Sequence, residues 1–499
     1  MRFIRSVFSA TTGYFFCWLF VLTACKKNDT DKNELPLFSA FALTREHNPS
    51  LSEDIRFTID ADTIRATAPD IFHKRLKPRF TTNAAQTLVN GQQQESGVSE
   101  QDFSDIVTYT LKSTGGLEKI YHVKIQWLQN SLPHIYINTE GGALVDSKDN
   151  YISAVLTIDG KGKYPDYTGA TQIRGRGNST WWQPKKPYRL KLASKSEMFG
   201  LPEERDWVLL ANYLDPTLML NAVAMKIGYQ LNLAYTNTII PVDVTMNGVY
   251  AGSYNFTQQI EQGADRVNIG SDGLLLELDV NFDEDFQFRS QEYDLPVMIK
   301  YPDLGSAQEI EPIAQQFNAL ASLMAAPDFP GNGYADHLDL ESLAGFLIVY
   351  LLTDNHEPNH PKSVYMHKRA TGKFTMGPIW DFDWAYSYNG VDKHFVTASS
   401  QFFRDSGETP GAAFFARFTR DPAFVELLRQ KWTSYRSTSF DELIQFVEQY
   451  SVQIKSSKNE DFKTWNTGNG DFMGDVGKLK NWLQQRAAYL DGYIGGIGR

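Results

Sequence analysis

Apolar positions along the chain follow two different periods. From Leu37 to Leu128 they recur at every second residue in short runs: Leu37–Leu43, Ile55–Ile59, Thr63–Thr67, Val107–Leu111 and Tyr121–Trp127. That alternation marks half-buried strands. Turn-forming stretches such as Asn48-Pro49-Ser50 and Thr114-Gly115-Gly116 separate them, so residues 37–128 are expected to form a small β-sandwich. This part carries no cluster of acids, histidines or nucleophiles, and a spacer is its simplest reading.

Ser131-Leu132-Pro133 marks a boundary, and a second unit is expected over residues 133–499. It begins with strands at His134, Tyr151–Ile158, Thr171–Ile173 and Tyr188–Leu192. Asp215-Pro216 reads as the start of a helix running from Thr217 to Leu231. Asn247-Gly248, between two alternating runs, predicts a tight hairpin. Leu274–Asp279 is a further strand with Glu277 and Asp279 on one face. Beyond Ser306 the period changes to 3.6. Ser306 and Glu309 form a capping box for a helix ending near Ala325. Asp339 caps the next helix, whose stretch Leu343–Leu352 is apolar all round and therefore belongs at the centre of its domain. A short strand pair, Val364–His367 and Lys373–Met376, follows it. Three more helices are expected between Gly411 and Ile494, one of them opening at a Ser439–Glu442 capping box. The fold class is α+β.

Composition narrows the class. Of 499 residues 42% are hydrophobic and 13% aromatic, enough for a large core. The net charge of −11 argues against a nucleic-acid partner. The only cysteines, Cys17 and Cys25, lie in the leader. Arg2 and Arg5 precede an apolar run of about Tyr14 to Ala24, which is short for a membrane span. Leu22-Thr23-Ala24-Cys25 is similar to the bacterial lipobox, which predicts a signal peptide over residues 1–25, lipidation at Cys25 and a lipid anchor to the cell envelope or outer membrane, with surface display in view. An ordinary cleaved signal or a membrane anchor are the alternatives. Residues 26–36, rich in charge, read as a tether.

The candidate chemistry lies in two places. Asp381 and Asp383 flank Phe382; if residues 380–384 are extended, both carboxylates point the same way. Two such acids suit a hard divalent cation such as Mg²⁺ or Mn²⁺, or else a solvated edge or structural ion-pair cluster. Arg174-Gly175-Arg176-Gly177-Asn178 is a glycine-containing loop with two cations, fit to approach an anion closely. Arg189 and Lys191 share a strand face that either holds phosphates or faces solvent. A carboxylate pair two residues apart on one strand is poorly placed for a glycosidase. His356 and His360 lack a metal-ligand spacing.

Six motifs occur in order: Arg174–Trp181, Lys185–Leu192, Trp207–Asp215, Asn247–Tyr254, Leu274–Asp279 and Trp380–Ala385. Together they resemble the CotH kinase family, the spore-coat-protein-H-like proteins, from about Pro133 to the end. The alternating N-terminal part looks like the Ig-like modules of surface lipoproteins of Bacteroidetes-type bacteria. The resemblance implies an atypical protein-kinase-like fold with a β-rich N-lobe and a helical C-lobe. It also implies ATP with Mg²⁺ or Mn²⁺ in the cleft, and phosphoryl transfer to serine of a protein or another secreted acceptor. Carried over by motif, Arg174, Arg176, Asn178 and Lys191 bind nucleotide, Asp381 and Asp383 bind metal, and Glu357 stands at the catalytic acid position, usually Asp. Ser363 stands where many members have a metal-binding Asn. With those two departures, and little ATP outside the cytoplasm, the alternative is an inactive kinase-like scaffold serving as a surface binding or structural protein. The acceptor and the oligomeric state are not written in the sequence.

Overall fold

The computed structural model describes residues 34–49, 51, 53–129, 131–403 and 409–498; Cys25 and the rest of the leader lie outside them. The described residues fall into two compact units. Those up to Ala68 and His73–Gln126 form the first, and Pro69–Phe72 with Trp127 onward form the second.

The first unit is made of strands. Phe38–Leu43 pairs with Ile55–Arg56 on one side and Arg79–Thr82 on the other. A six-stranded sheet includes Gln86–Val89, Val107–Lys112 and Glu118–Leu128. Phe38 and Phe41 of the smaller sheet meet Tyr109 of the larger one edge to face, at 5.7 and 5.6 Å between ring centroids. That aromatic cluster lies in the core of this unit; Phe38 and Phe41 are three residues apart and reach the same side because the strand's register shifts between Phe38 and Ala40.

The second unit combines a barrel, an open sheet and a helical layer. The barrel strands are β1 (His134–Thr139), β2 (Ile152–Asp159), β3 (Tyr167–Gly175), β4 (Tyr188–Met198), β5 (Leu201–Leu210), β6 (Ile240–Met246) and β7 (Val249–Gln258), with helix α1 (Leu220–Gln230) between β5 and β6. They close in the order β1-β2-β3-β4-β5-β7-β6. Closure is made by a parallel pairing of β1 with β6, with His134 opposite Asp243. The interior holds Ile135, Ile173, Leu190, Trp207, Val242 and Phe256. Asn247 and Gly248 turn the β6–β7 hairpin with φ of 50° and 79°.

Next come β8 (Leu274–Leu278), β9 (Gln287–Arg289), β10 (Pro296–Tyr301), helices α2 (Ile310–Ala325) and α3 (Leu340–Leu352), and strands β11 (Val364–Lys368) and β12 (Thr375–Met376). The strands form a sheet ordered β9-β10-β8-β11-β12. Helix α3 is buried from Leu343 to Leu352 and packs on α1 and two of the last helices. Asp339 caps it, accepting the N–H groups of Glu341 and Ser342 at 3.0 and 3.2 Å. The chain ends in α4 (Pro410–Arg417), α5 (Pro422–Thr438), α6 (Phe440–Trp465) and α7 (Phe472–Gly496). The described residues thus give a mixed α+β fold.

Three local expectations fail for identifiable reasons. Helix α1 starts at Leu220, not at Pro216. The Asp215 carboxylate takes the N–H of Thr217 and of Leu220 at 2.7 and 2.8 Å, and that folds the intervening residues into a turn with Leu218 at φ 57°. Glu442 does not close a capping box at Ser439; it pairs with Lys226 at 2.7 Å. The C-terminal part has four helices rather than three, because Asp421 caps a new one over Pro422, accepting the Ala423 N–H at 2.8 Å.

Candidate active site

A cavity of about 640 Å³ opens in the second unit, walled by residues from barrel strands, the open sheet and the loop after α3. It falls in the size range of small-ligand sites. Its wall brings together Arg174, Arg176, Asn178, Glu357, Asp381 and Asp383, which are spread over more than half of that unit's sequence. Ser363 lies in the same wall. Lys191 does not; Arg189, two residues earlier on the same strand face, does. The shared face foretold by alternation is real, but the cavity ends before it reaches Lys191. Arg189 is itself paired with Asp206 at 2.7 Å.

The glycine-containing loop leaves β3 at Gly175. A Cβ there would stand 2.1 Å from the Trp181 ring, so the ring lies directly on the backbone. Gly177 has φ 82°, which glycine adopts without strain. Gly175→Ala must therefore push Trp181 out of its buried seat. The expected loss is about 1–3 kcal/mol, read as a lowered urea midpoint. The Arg174 guanidinium donates to the Lys148 carbonyl and lies 5.0 Å over the Tyr151 ring. Its Nε is buried without a partner among the described residues. Arg176 sits over Trp380 at 5.2 Å, within the field of Asp381. Lys148 holds Asn178 at the rim at 3.2 Å.

The acidic side is built from the loop between α3 and β11 and from the segment after β12. Residues 380–384 are not extended: Asp381 has φ 62° and a turn begins at Asp383. The cause is that side chains claim the backbone. Asn221 of α1 accepts the Phe382 N–H at 3.0 Å and donates to Asp383 Oδ1 at 3.2 Å. Asn355 donates to the Asp381 carbonyl at 3.2 Å. Both carboxylates nevertheless face the cavity.

Glu357 is carried by a loop tied down at Asp354. The Asp354 carboxylate meets Arg486 of α7 and His356, each at 3.0 Å, and accepts the Ser400 hydroxyl. Asn355 Oδ1 then accepts the Glu357 N–H at 2.9 Å. One Glu357 oxygen, Oε2, is buried with no hydrogen-bond partner among the described residues. Burial, and then the charge of Asp381, push its pKa well above the usual carboxylate range. Burial likewise raises Asp381, against the pull of Arg176 and Lys362, and raises Asp383, with Asp381 adding to the effect. Acids gathered out of water in this way are stable as anions only when a cation joins them.

The acids missed by the motif transfer are Glu277 and Asp279. Both are buried in the cavity wall. Asp279 accepts the N–H groups of Asn281 and Ser363 at 2.7 and 2.9 Å, so Ser363, at φ 49°, contributes its backbone to the site. Lys300 and Asn221 were missed as well. Lys300 is the one charged residue of PVMIKY, and Asn221 stands beside the buried apolar run of LNAVAM; those were the available signals.

The donors available to a divalent cation are oxygens only, the chemistry that suits Mg²⁺ or Mn²⁺. Among the described residues no three His, Cys, Asp or Glu side chains converge into an ion site by themselves. A fit therefore needs phosphate oxygens to complete the shell, which is how Mg²⁺ is commonly held. The raised carboxylates of Asp381 and Asp383 fit that requirement.

A basic loop and buried acids thus line one cavity. The model of the CotH kinase protein family matches residues 173–490, and the chain belongs to that family. A search of curated proteins found no match.

Proposed function

We propose that the cavity binds ATP with Mg²⁺ or Mn²⁺ and transfers its terminal phosphoryl group to the hydroxyl of a protein serine or another secreted acceptor. The observation that carries this reading is the meeting of Arg174, Arg176 and Asn178 with Glu357, Asp381 and Asp383 in one wall. Phosphoryl transfer asks mainly for positioning and charge neutralisation, and both are supplied by such a wall. A divalent cation, held by Asp381 or Asp383 together with phosphate oxygens, would offset the charge of the phosphates. Arg176 is kept over Trp380 and free of side-chain hydrogen bonds among the described residues, so its fork is open to a phosphate oxygen. Glu357 Oε2 accepts the acceptor's hydroxyl proton. Asn221 and Asn355 keep Asp381 and Asp383 in place, through the backbone at Asp381 and Phe382 and directly at the Asp383 carboxylate.

Around this domain the reading is of an exported lipoprotein of Bacteroidetes type, anchored to the outer membrane by a lipid on Cys25. The first unit serves as an Ig-like sandwich spacer, and the second has kinase-like lobes. A scaffold without catalysis is the competing reading, favoured by Glu357 and Ser363 standing for Asp and Asn. The test is ADP production from ATP by the full-length chain with Mn²⁺. Metal-dependent ADP production that Glu357→Gln lacks supports transfer; none from either protein supports the scaffold.

A further inference from the structure

The cavity contains a lysine that the motifs do not assign. Lys300 lies on β10, next to β8, which is next to β11. Glu277 of β8 stands opposite Tyr365 of β11 and opposite Met298 of β10. Lys300 is the extra residue of a bulge between the Leu276–Ile299 and Leu275–Tyr301 pairs, and its ammonium turns toward Glu277. Glu277, Tyr365 and Lys300 all line the cavity. The Lys300 ammonium is 3.4 Å from Glu277 Oε2, and it also meets Glu284. Tyr365 hydrogen-bonds to the Glu277 carboxyl. Lys300 and Glu277 are 21% and 7% exposed, whereas Glu284 is 39% exposed at the rim.

We propose that Lys300 is a phosphate-binding cation of this site, aimed by Glu277, and that Glu284 occupies the ammonium until the nucleotide phosphates displace it. Three observations carry this. First, Lys300 is the penultimate residue of a strand that is apolar up to it; most of its side chain is out of water, and an ammonium is retained as a charge there only beside anions. Second, the two carboxylates are unequal. Glu277 is held by Tyr365 on a rigid strand; Glu284 is a rim residue on the loop between β8 and β9 and is free to swing away. Third, Arg176 lies in the field of both Tyr365 and Glu277 as well as Asp381, which sets this group beside the phosphate side of the cavity. Burial lowers the Lys300 pKa, but Glu277 and Glu284 together hold it above the ordinary lysine value, so it is charged when phosphate arrives. The vacant role is that of Lys191, which lies outside the cavity wall.

The inference rests on the ATP-binding reading above. It is tested by calorimetric titration of the full-length chain with ATP and Mn²⁺. Lys300→Met is expected to weaken binding about 10- to 100-fold, the loss of a charge-assisted contact. Lys300→Arg restores much of it, Lys191→Met leaves it unchanged, and Glu284→Gln tightens it by up to about fivefold. Glu277→Gln weakens binding in the wild-type background and has no further effect in Lys300→Met, which a merely structural carboxylate would not show. Wild-type binding that Lys300→Met leaves within twofold overturns the assignment and spares the ATP reading. Tighter binding by Glu284→Gln supports the assignment even where Lys300→Met does not fold. No binding by the wild type overturns both.

Discussion

Glu357→Gln is expected to abolish turnover while leaving ATP in the cavity. The side chain keeps its shape and loses its capacity to take a proton. General-base action contributes about 10²- to 10⁴-fold, so kcat should fall by that much, with ATP affinity by calorimetry changed little. The glutamate's setting supports this division of labour. Its Oε2 is buried and unpartnered among the described residues, hence open to an acceptor hydroxyl. Besides burial, the acids Asp381, Asp279 and Asp383 raise its pKa, and the cation Lys362 lowers it. Because burial among acids destabilises the carboxylate, the neutral glutamine should leave stability unchanged or slightly higher in urea unfolding. A drop in stability of several kcal/mol with proportionate loss of ATP binding would make Glu357 a structural residue instead.

Arg486→Met should have the largest effect on stability, about 3–5 kcal/mol by the cost of stranding a buried charge. The guanidinium is fully buried. It donates to the carbonyls of Leu351, at the end of α3, and of Ala398 and Ser400, at 2.8, 3.1 and 2.7 Å. It also neutralises Asp354 at 3.0 Å. Removing it leaves three carbonyls without their donor and the buried Asp354 charge without its guanidinium, with only His356 and Ser400 beside it, and frees the loop that carries Glu357. Asp354→Asn in the same chain should return part of the loss, since the uncompensated charge is then gone. Urea unfolding of both variants checks this. Equal destabilisation by Arg486→Met and by the double variant would mean that the carbonyl contacts, not the ion pair, dominate.

What the sequence made legible was whatever is written locally. Helix α3 announced itself because an apolar stretch of that length, opened by Asp339, has one solution. The Asn247-Gly248 turn was equally plain, since two consecutive left-handed residues select those side chains. The closed barrel was not legible. Its last pairing joins His134 to Asp243 in parallel, and no local pattern specifies a partner that distant. Motif order put Glu357, Asp381 and Asp383 forward as candidates, and all three lie in one cavity wall, but their conformation was not legible. Alternation suggested an extended Asp381–Asp383, whereas Asn221 and Asn355 capture the backbone there, and those contacts come from other elements. The same limit explains Lys191. Periodicity assigns a strand residue to a face but says nothing of how far along that face a cavity extends, so Arg189 and Lys191 were equivalent until the wall was built. Glu277 and Lys300 illustrate the remainder. Their meeting depends on the register of β8 with β10, a property of the sheet rather than of either strand.

The central claim is that one cavity holds nucleotide and metal together. The most direct measurement is calorimetric titration of ATP into the full-length chain with and without Mn²⁺, repeated on Asp381→Asn. Micromolar binding that requires Mn²⁺ and is lost in Asp381→Asn, with the variant still folded, is the result this account predicts. A folded wild-type chain that takes up no ATP under either condition would contradict it.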